Sequence, residues 1–158
     1  MKWERFSCRV FAVRGTCGDA CQENETDMTK QKGRLLAIDT GSTSTKIGYF
    51  VDGKLAFEEN VWHRAEDLAE FSDVMEQDTL RRDDLRIFMR GKGIHAQDID
   101  IIMARGGLFY PVVTGIYSVN EDMRKVLRSC KYGRHACNLS AIIADDLAKD
   151  CLLYTSPS

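Results

Sequence analysis

The sequence predicts an α/β fold, a mixed sheet that opens with a three-stranded antiparallel meander and is flanked by helices. Three observations carry this. Short apolar runs with a strand period recur between residues 34 and 61. The two-residue turn signal Asp52-Gly53 separates two of them. Apolar stripes at helical spacing follow, with one further strand-like run between them.

The first strand is Leu35-Leu36-Ala37-Ile38, an apolar run suited to a buried strand. In the second, Ile47, Tyr49 and Val51 alternate with Lys46, Gly48 and Phe50. The third places Leu55, Phe57 and Val61 on one face. A short helix is expected over residues 64–70. A longer one is expected over 80–90, with Leu85, Phe88 and Met89 at i, i+3 and i+4, ending at Gly91 and Gly93. Ile99, Ile101 and Ile102 form a buried strand that ends at Arg105-Gly106-Gly107. An extended piece over 112–119 leads to a helix capped by Asn120. The last helix covers 136–149, with Leu139, Ile142, Ile143 and Leu147 as its stripe and Asp145, Asp146 and Lys149 outside.

Three stretches of unequal character divide the chain. Residues 1–27 carry no strand or helix period and end in the polar run 22–27, so they read as a disordered or non-native extension. Residues 28–150 form the folded N-terminal domain, with Met28 as its natural start. Residues 151–158 break the helical pattern and read as a tail derived from a sequencing adapter.

Composition excludes several classes. The chain has 158 residues and a net charge of −2, with no basic stripe to argue for nucleic acid. No apolar run approaches the roughly 20 residues of a membrane span, and the charged start lacks the apolar core of a signal peptide. A cytoplasmic protein is expected. Of six cysteines, Cys17 and Cys21 make a lone pair with no second pair to complete a zinc site, so reduced thiols are expected.

Three motifs carry chemistry. In Asp39-Thr40-Gly41-Ser42-Thr43-Ser44-Thr45-Lys46, a glycine-bearing turn between strands offers backbone N–H groups, and the hydroxyls of Ser42, Thr43, Ser44 and Thr45 and the ammonium of Lys46 add donors. The spacing is not that of a Walker A loop, and a strand follows rather than a helix. Six small polar residues exceed what a plain hairpin needs, which favours phosphate binding. Arg105, at a strand end beside Gly106-Gly107, suits either a fork onto a carboxylate or phosphate or a surface salt bridge. His135 and Asn138 are three apart at a helix start, where they can face a ligand together or cap the helix.

Taken together, residues 36–47, Arg105-Gly106-Gly107-Leu108, Val119-Asn120-Glu121-Asp122-Met123 and the stretch 132–144 closely resemble butyrate kinase and the wider acetate kinase family. The resemblance covers residues 34–150 in order. It implies a ribonuclease-H-like fold of the actin-like ATPase type, duplicated in the complete protein, with a second domain missing from this chain. It implies ATP and Mg²⁺ as cofactors and a short-chain carboxylate as substrate, in the reaction butanoate + ATP → butanoyl phosphate + ADP. It also implies a homo-oligomeric parent. Gly41, Ser42, Thr43 and Ser44 match the family's phosphate turn, and Lys46 its closing lysine. Arg105 corresponds to the arginine that holds the carboxylate and the transferred phosphoryl. His135 and Asn138 match the histidine and asparagine near the substrate. Asp39 stands where the family usually has asparagine, and an aspartate there can act on Mg²⁺ or its waters. Thr40 stands where butyrate kinases usually have proline.

Acetate or propionate kinase, and a non-catalytic actin-like or activator ATPase, are the alternatives. Since the resemblance places the adenosine pocket in the second domain, the purified 158-residue chain is expected to make no acyl phosphate. A hydroxamate assay checks this, and measurable product would refute it.

Overall fold

The computed structural model describes residues 10–14, 33–112 and 115–153. A mixed sheet of six strands has the order β4-β3-β2-β5-β1-β6. The strands are β1 (Val10–Arg14), β2 (Arg34–Thr40), β3 (Ser44–Val51), β4 (Lys54–Trp62), β5 (Ile101–Arg105) and β6 (Ile116–Ser118). The helices are α1 (Ala65–Ala69), α2 (Asp78–Gly91), α3 (Glu121–Ser129) and α4 (Asn138–Leu153).

The expected meander is present. β2 pairs antiparallel with β3 in register from Arg34 opposite Val51 to Thr40 opposite Thr45, and β3 pairs antiparallel with β4. Asp52 and Gly53 join β3 to β4 with φ of 50° and 75°. Two left-handed residues in succession make the turn whose twist matches the flanking strands, and glycine adopts that conformation without a Cβ clash. A register shift between Tyr49 and Phe50 changes the face of β4. Phe57 and Val61 turn toward the core, while Leu55, expected on the same face, is exposed. A bulge does this because one extra residue reverses the alternation.

β5 lies parallel to β2, with Ile102 opposite Leu36 and Ala104 opposite Ile38. All four of these residues are buried. They meet α4, whose Leu139, Ala141, Ile142, Ile143, Ala144, Leu147 and Ala148 are buried together. α4 packs on β1, β2, β5, α2 and α3, so it sits at the centre of the core.

Several elements differ from expectation. Val10–Arg14 is a strand within the stretch 1–27, pairing antiparallel with β5 and parallel with β6. Five residues are too few to show a period, and its partners, Ile101–Arg105 and Ile116–Ser118, lie far along the chain. The rest of 1–27 lies outside the described residues. α4 begins at Asn138 rather than 136, because Asn138, Leu139 and Ser140 donate to the carbonyls three residues back. It runs on to Leu153, past the expected break at Cys151; residues 154–158 lie outside the described residues. Ile99 precedes β5 and caps a 3₁₀ turn, Ala96–Asp98.

Asp145 and Asp146 were expected on the solvent side of α4. Asp145 is buried instead. Its carboxylate and that of Asp146 accept from Arg124 of α3 at 2.6 and 2.8 Å, and Asp146 also pairs with Arg82 of α2 at 2.9 Å. α3 and α2 cover the polar flank of α4, which a single-helix pattern cannot reveal. Asn120 caps α3 as expected, its Oδ1 accepting from the Met123 N–H. Among the described residues, no helix is long and apolar enough to cross a membrane. Cys130 and Cys137 are thiols outside any disulfide, while Cys8, Cys17 and Cys21 lie outside the described residues.

Candidate functional site

The site forms where β2 and β5 end side by side. Ile38 sits opposite Ala104, so the next residue on each parallel strand, Asp39 and Arg105, emerges at the same carboxyl end. Arg105 Nη1 donates to Asp39 Oδ2 at 2.9 Å. Lys46 lies directly opposite Asp39 on β3. Three charged groups, two cations and one carboxylate, therefore share one edge of the sheet.

Between β2 and β3 runs the turn of residues 41–44. The Gly41 N–H donates to the Ser44 carbonyl at 2.8 Å, closing it. Ser42 and Thr43 are its exposed tip. The turn's base is fixed to α4 through Thr40. The Thr40 N–H donates to Ser140 Oγ at 3.0 Å and its hydroxyl donates to the Ala136 carbonyl at 2.9 Å. A short contact also joins the two hydroxyls of Thr40 and Ser140. A proline at this position would have no N–H to give Ser140.

A cleft of about 630 Å³ opens here. Asp39, Gly41, Ser44, Lys46 and Arg105 line it together with Leu108, Phe109, Tyr132, His135 and Cys137. Of the sequence-derived candidates, Asp39, Gly41, Ser44, Lys46, Arg105 and His135 come together. Ser42 and Thr43 stand at the rim, outside the lining. Asn138 is fully buried. Its Oδ1 accepts from the Leu108 N–H at 2.7 Å and its Nδ2 donates to the Gly133 carbonyl at 2.9 Å. It thus braces the two loops that form the apolar wall. His135 Nδ1 accepts from the Cys137 N–H at 3.2 Å, a capping contact, while the ring stays exposed at the cleft.

Among the described residues, no group of three or more His, Cys, Asp or Glu side chains could hold a metal. Asp39 is the one carboxylate in the lining. A single carboxylate fits a hard cation only if the ligand brings most of the oxygens, as magnesium on nucleotide phosphates does.

Two buried polar neighbours of the turn escaped sequence reasoning. Arg81 of α2 is fully buried and donates to the carbonyls of Gly41 and Ser42 at 2.8 and 2.6 Å. Its signal was present: Arg81 occupies the same stripe as Leu85 and Met89, at i, i+4 and i+8, all three buried. A cation on an apolar stripe needs a partner. The second is His63, also buried. Its Nε2 lies 2.9 Å from Thr45 Oγ1 and its Nδ1 lies 2.6 Å from Asp84 Oδ2. A hydroxyl, an imidazole and a carboxylate in line resemble a nucleophilic triad, but Thr45 is buried and no substrate reaches it. Burial lowers the His63 pKa; the hydrogen bond to Asp84 raises it in part, and the Arg81 charge lowers it further.

A hydroxyl-rich turn, two cations and several apolar side chains thus meet in one cleft of an α/β domain. Known proteins narrow this further. The chain is 41% identical over 118 residues to a protein of Phocaeicola vulgatus named "Probable butyrate kinase". It is 40% identical over 118 residues to butyrate kinase 2 of Clostridium acetobutylicum. Each match takes in 75% of this chain and 33% of the relative, so the chain spans about a third of the length of the curated relatives it matches. Butyrate kinase 1 of Clostridium acetobutylicum is 38% identical over 117 residues, again 33% of its length. No family model matches the chain. The resemblance to butyrate kinases that the motifs carry is borne out.

Two outcomes follow from this geometry. A Cβ added at Gly107 would lie 2.7 Å from both the Cα and Oδ1 of Asn138. Gly107→Ala should therefore cost about 1–3 kcal/mol, as overpacking does, read as a lower urea midpoint. His63 binds a proton more weakly when folded than its ordinary value of 6.5. Its contribution to stability is thus complete above that value and is lost as pH falls below it. Urea unfolding at about pH 7.5 and about pH 5.5 should show this loss, and His63→Gln should flatten it.

Proposed function

We propose that this chain is the phosphate- and carboxylate-binding part of a butyrate kinase, built on a ribonuclease-H-like fold of the actin-like ATPase type. The reading rests on one observation: the glycine-hydroxyl turn, Lys46, Arg105 and an apolar wall meet in a single cleft. Identity of about 40% to named butyrate kinases supports it. In the complete enzyme the reaction is butanoate + ATP → butanoyl phosphate + ADP.

One carboxylate oxygen forms a bond to the γ-phosphorus while the bond to the bridging oxygen of ADP breaks in line. Such a transfer asks for positioning and charge stabilisation more than covalent chemistry. The turn amides and hydroxyls of Gly41, Ser42, Thr43 and Ser44, with Lys46, hold nucleotide phosphates. Arg105 is oriented by Asp39, and its planar guanidinium suits two anionic groups at once, the carboxylate and the moving phosphoryl. His135 faces the same space and can donate to a phosphoryl oxygen. Asn138 acts indirectly by bracing Leu108. Leu108, Phe109 and Tyr132 give the acyl chain an apolar wall. Mg²⁺, carried on the nucleotide phosphates within reach of Asp39, would neutralise phosphate charge. The parent is proposed to be a cytoplasmic homo-oligomer.

The room left beside Leu108, Phe109 and Tyr132 decides between butyrate and the smaller acids acetate and propionate. One methylene is worth only about 1–3 kcal/mol in such a pocket, so the acids must be compared directly by hydroxamate assay. The sharper test is Arg105→Ala in the complete enzyme. Acyl phosphate formation should fall about 10²–10³-fold, as when one preorganised donor to developing charge is lost, with ATP affinity changed less than about tenfold. Equal losses in both would sink the assignment of Arg105.

A further inference from the structure

Four successive carbonyls of the turn each accept a hydrogen bond from the protein. Those of Gly41 and Ser42 accept from the Arg81 guanidinium at 2.8 and 2.6 Å. That of Thr43 accepts from the His63 N–H at 3.1 Å, and that of Ser44 from the Gly41 N–H at 2.8 Å. In a trans peptide the N–H points opposite to the C=O of the same unit. The N–H groups of Ser42 and Thr43, which belong to the two peptides held by Arg81, are thereby turned away from α2 toward the exposed side of the turn.

Arg81 is itself fixed. Its Nε and Nη2 donate to Gln77 Oε1 at 3.1 and 2.9 Å, one turn back on α2. It is fully buried, and burial lowers its pKa, offset in part by the Asp84 charge. An arginine remains charged even so. A buried cation behind the turn also raises the potential at the amides in front of it, since low-dielectric surroundings screen it weakly.

We propose that Arg81 is a positioning residue for phosphate binding. It touches no ligand; its guanidinium holds the Gly41 and Ser42 carbonyls inward, so the Ser42 and Thr43 amides are preset to receive phosphate oxygens. This rests on the reading of the turn as a phosphate cradle and adds the residue that shapes it. Gln77 keeps the fork in its plane. Lysine in place of Arg81 would retain a charge but lose the planar fork that spans two carbonyls.

The test uses the 158-residue chain, labelled with ¹⁵N and titrated with inorganic triphosphate. In the wild type, the Ser42 and Thr43 amide resonances should shift on binding. Arg81→Lys should move these two resonances in the unliganded protein and weaken triphosphate binding about tenfold or more, as expected for loss of a charge-assisted bond. Ile142→Val, which loosens the core away from the turn, should lower the melting temperature yet leave the affinity unchanged. If Arg81→Lys does not fold, Gln77→Ala carries the same test, because it frees the guanidinium without removing it. Wild-type affinity in the folded Arg81 or Gln77 variant would overturn the proposal while leaving the cradle intact. A matching affinity loss in Ile142→Val would reduce Arg81 to a structural role and overturn it too. Wild-type amides that ignore triphosphate would remove the cradle and the proposal together.

Discussion

The burial of α4 across the sheet is the constraint on which the rest depends. Its apolar residues close over Leu36, Ile38, Ile102 and Ala104. Burying each such side chain contributes about 1.5–3 kcal/mol, so the helix cannot slide without losing most of the core. Its first turn therefore sits at a fixed height against the ends of β2 and β5. Ser140 and the Ala136 carbonyl take the hydrogen-bonding groups of Thr40, and Asn138 takes the Leu108 N–H. The core thus places both walls of the cleft.

A second constraint acts from the other side. α2 presents Arg81 to the turn and Asp84 to His63, so the hairpin is held from behind while α4 holds its base. Buried polar groups are stable only when every member is satisfied. The guanidinium meets this with Gly41, Ser42 and Gln77, and the imidazole with Thr45 and Asp84.

The meander, its Asp52-Gly53 turn, the helix stripes and the Asn120 cap were legible in the sequence because each depends on neighbours within a few residues. Much of the site was legible for the same reason: the turn's residue types and the Arg105 strand end are local features. The bulge that exposes Leu55 was not, since it arises from pairing between strands. Nor was the strand Val10–Arg14, whose partners are Ile101–Arg105 and Ile116–Ser118. Asp145 and Asp146 misled because α3 and α2 cover a face that looks solvated in isolation. Asn138 read as a ligand-facing residue or a cap, and long-range packing made it a brace.

By itself, then, the sequence determined that a glycine- and hydroxyl-rich turn joins two strands, and that an arginine closes another. Those are properties of a few adjacent residues. The tertiary structure alone decided that Asp39 pairs with Arg105 across 66 positions, that Arg81 reaches the turn from 39 and 40 positions away, and that apolar side chains share the cleft with Asp39 and Arg105. The physical reason is that parallel pairing of β2 with β5 and the packing of α2 and α4 are set by buried area, which depends on the whole core and on no single segment.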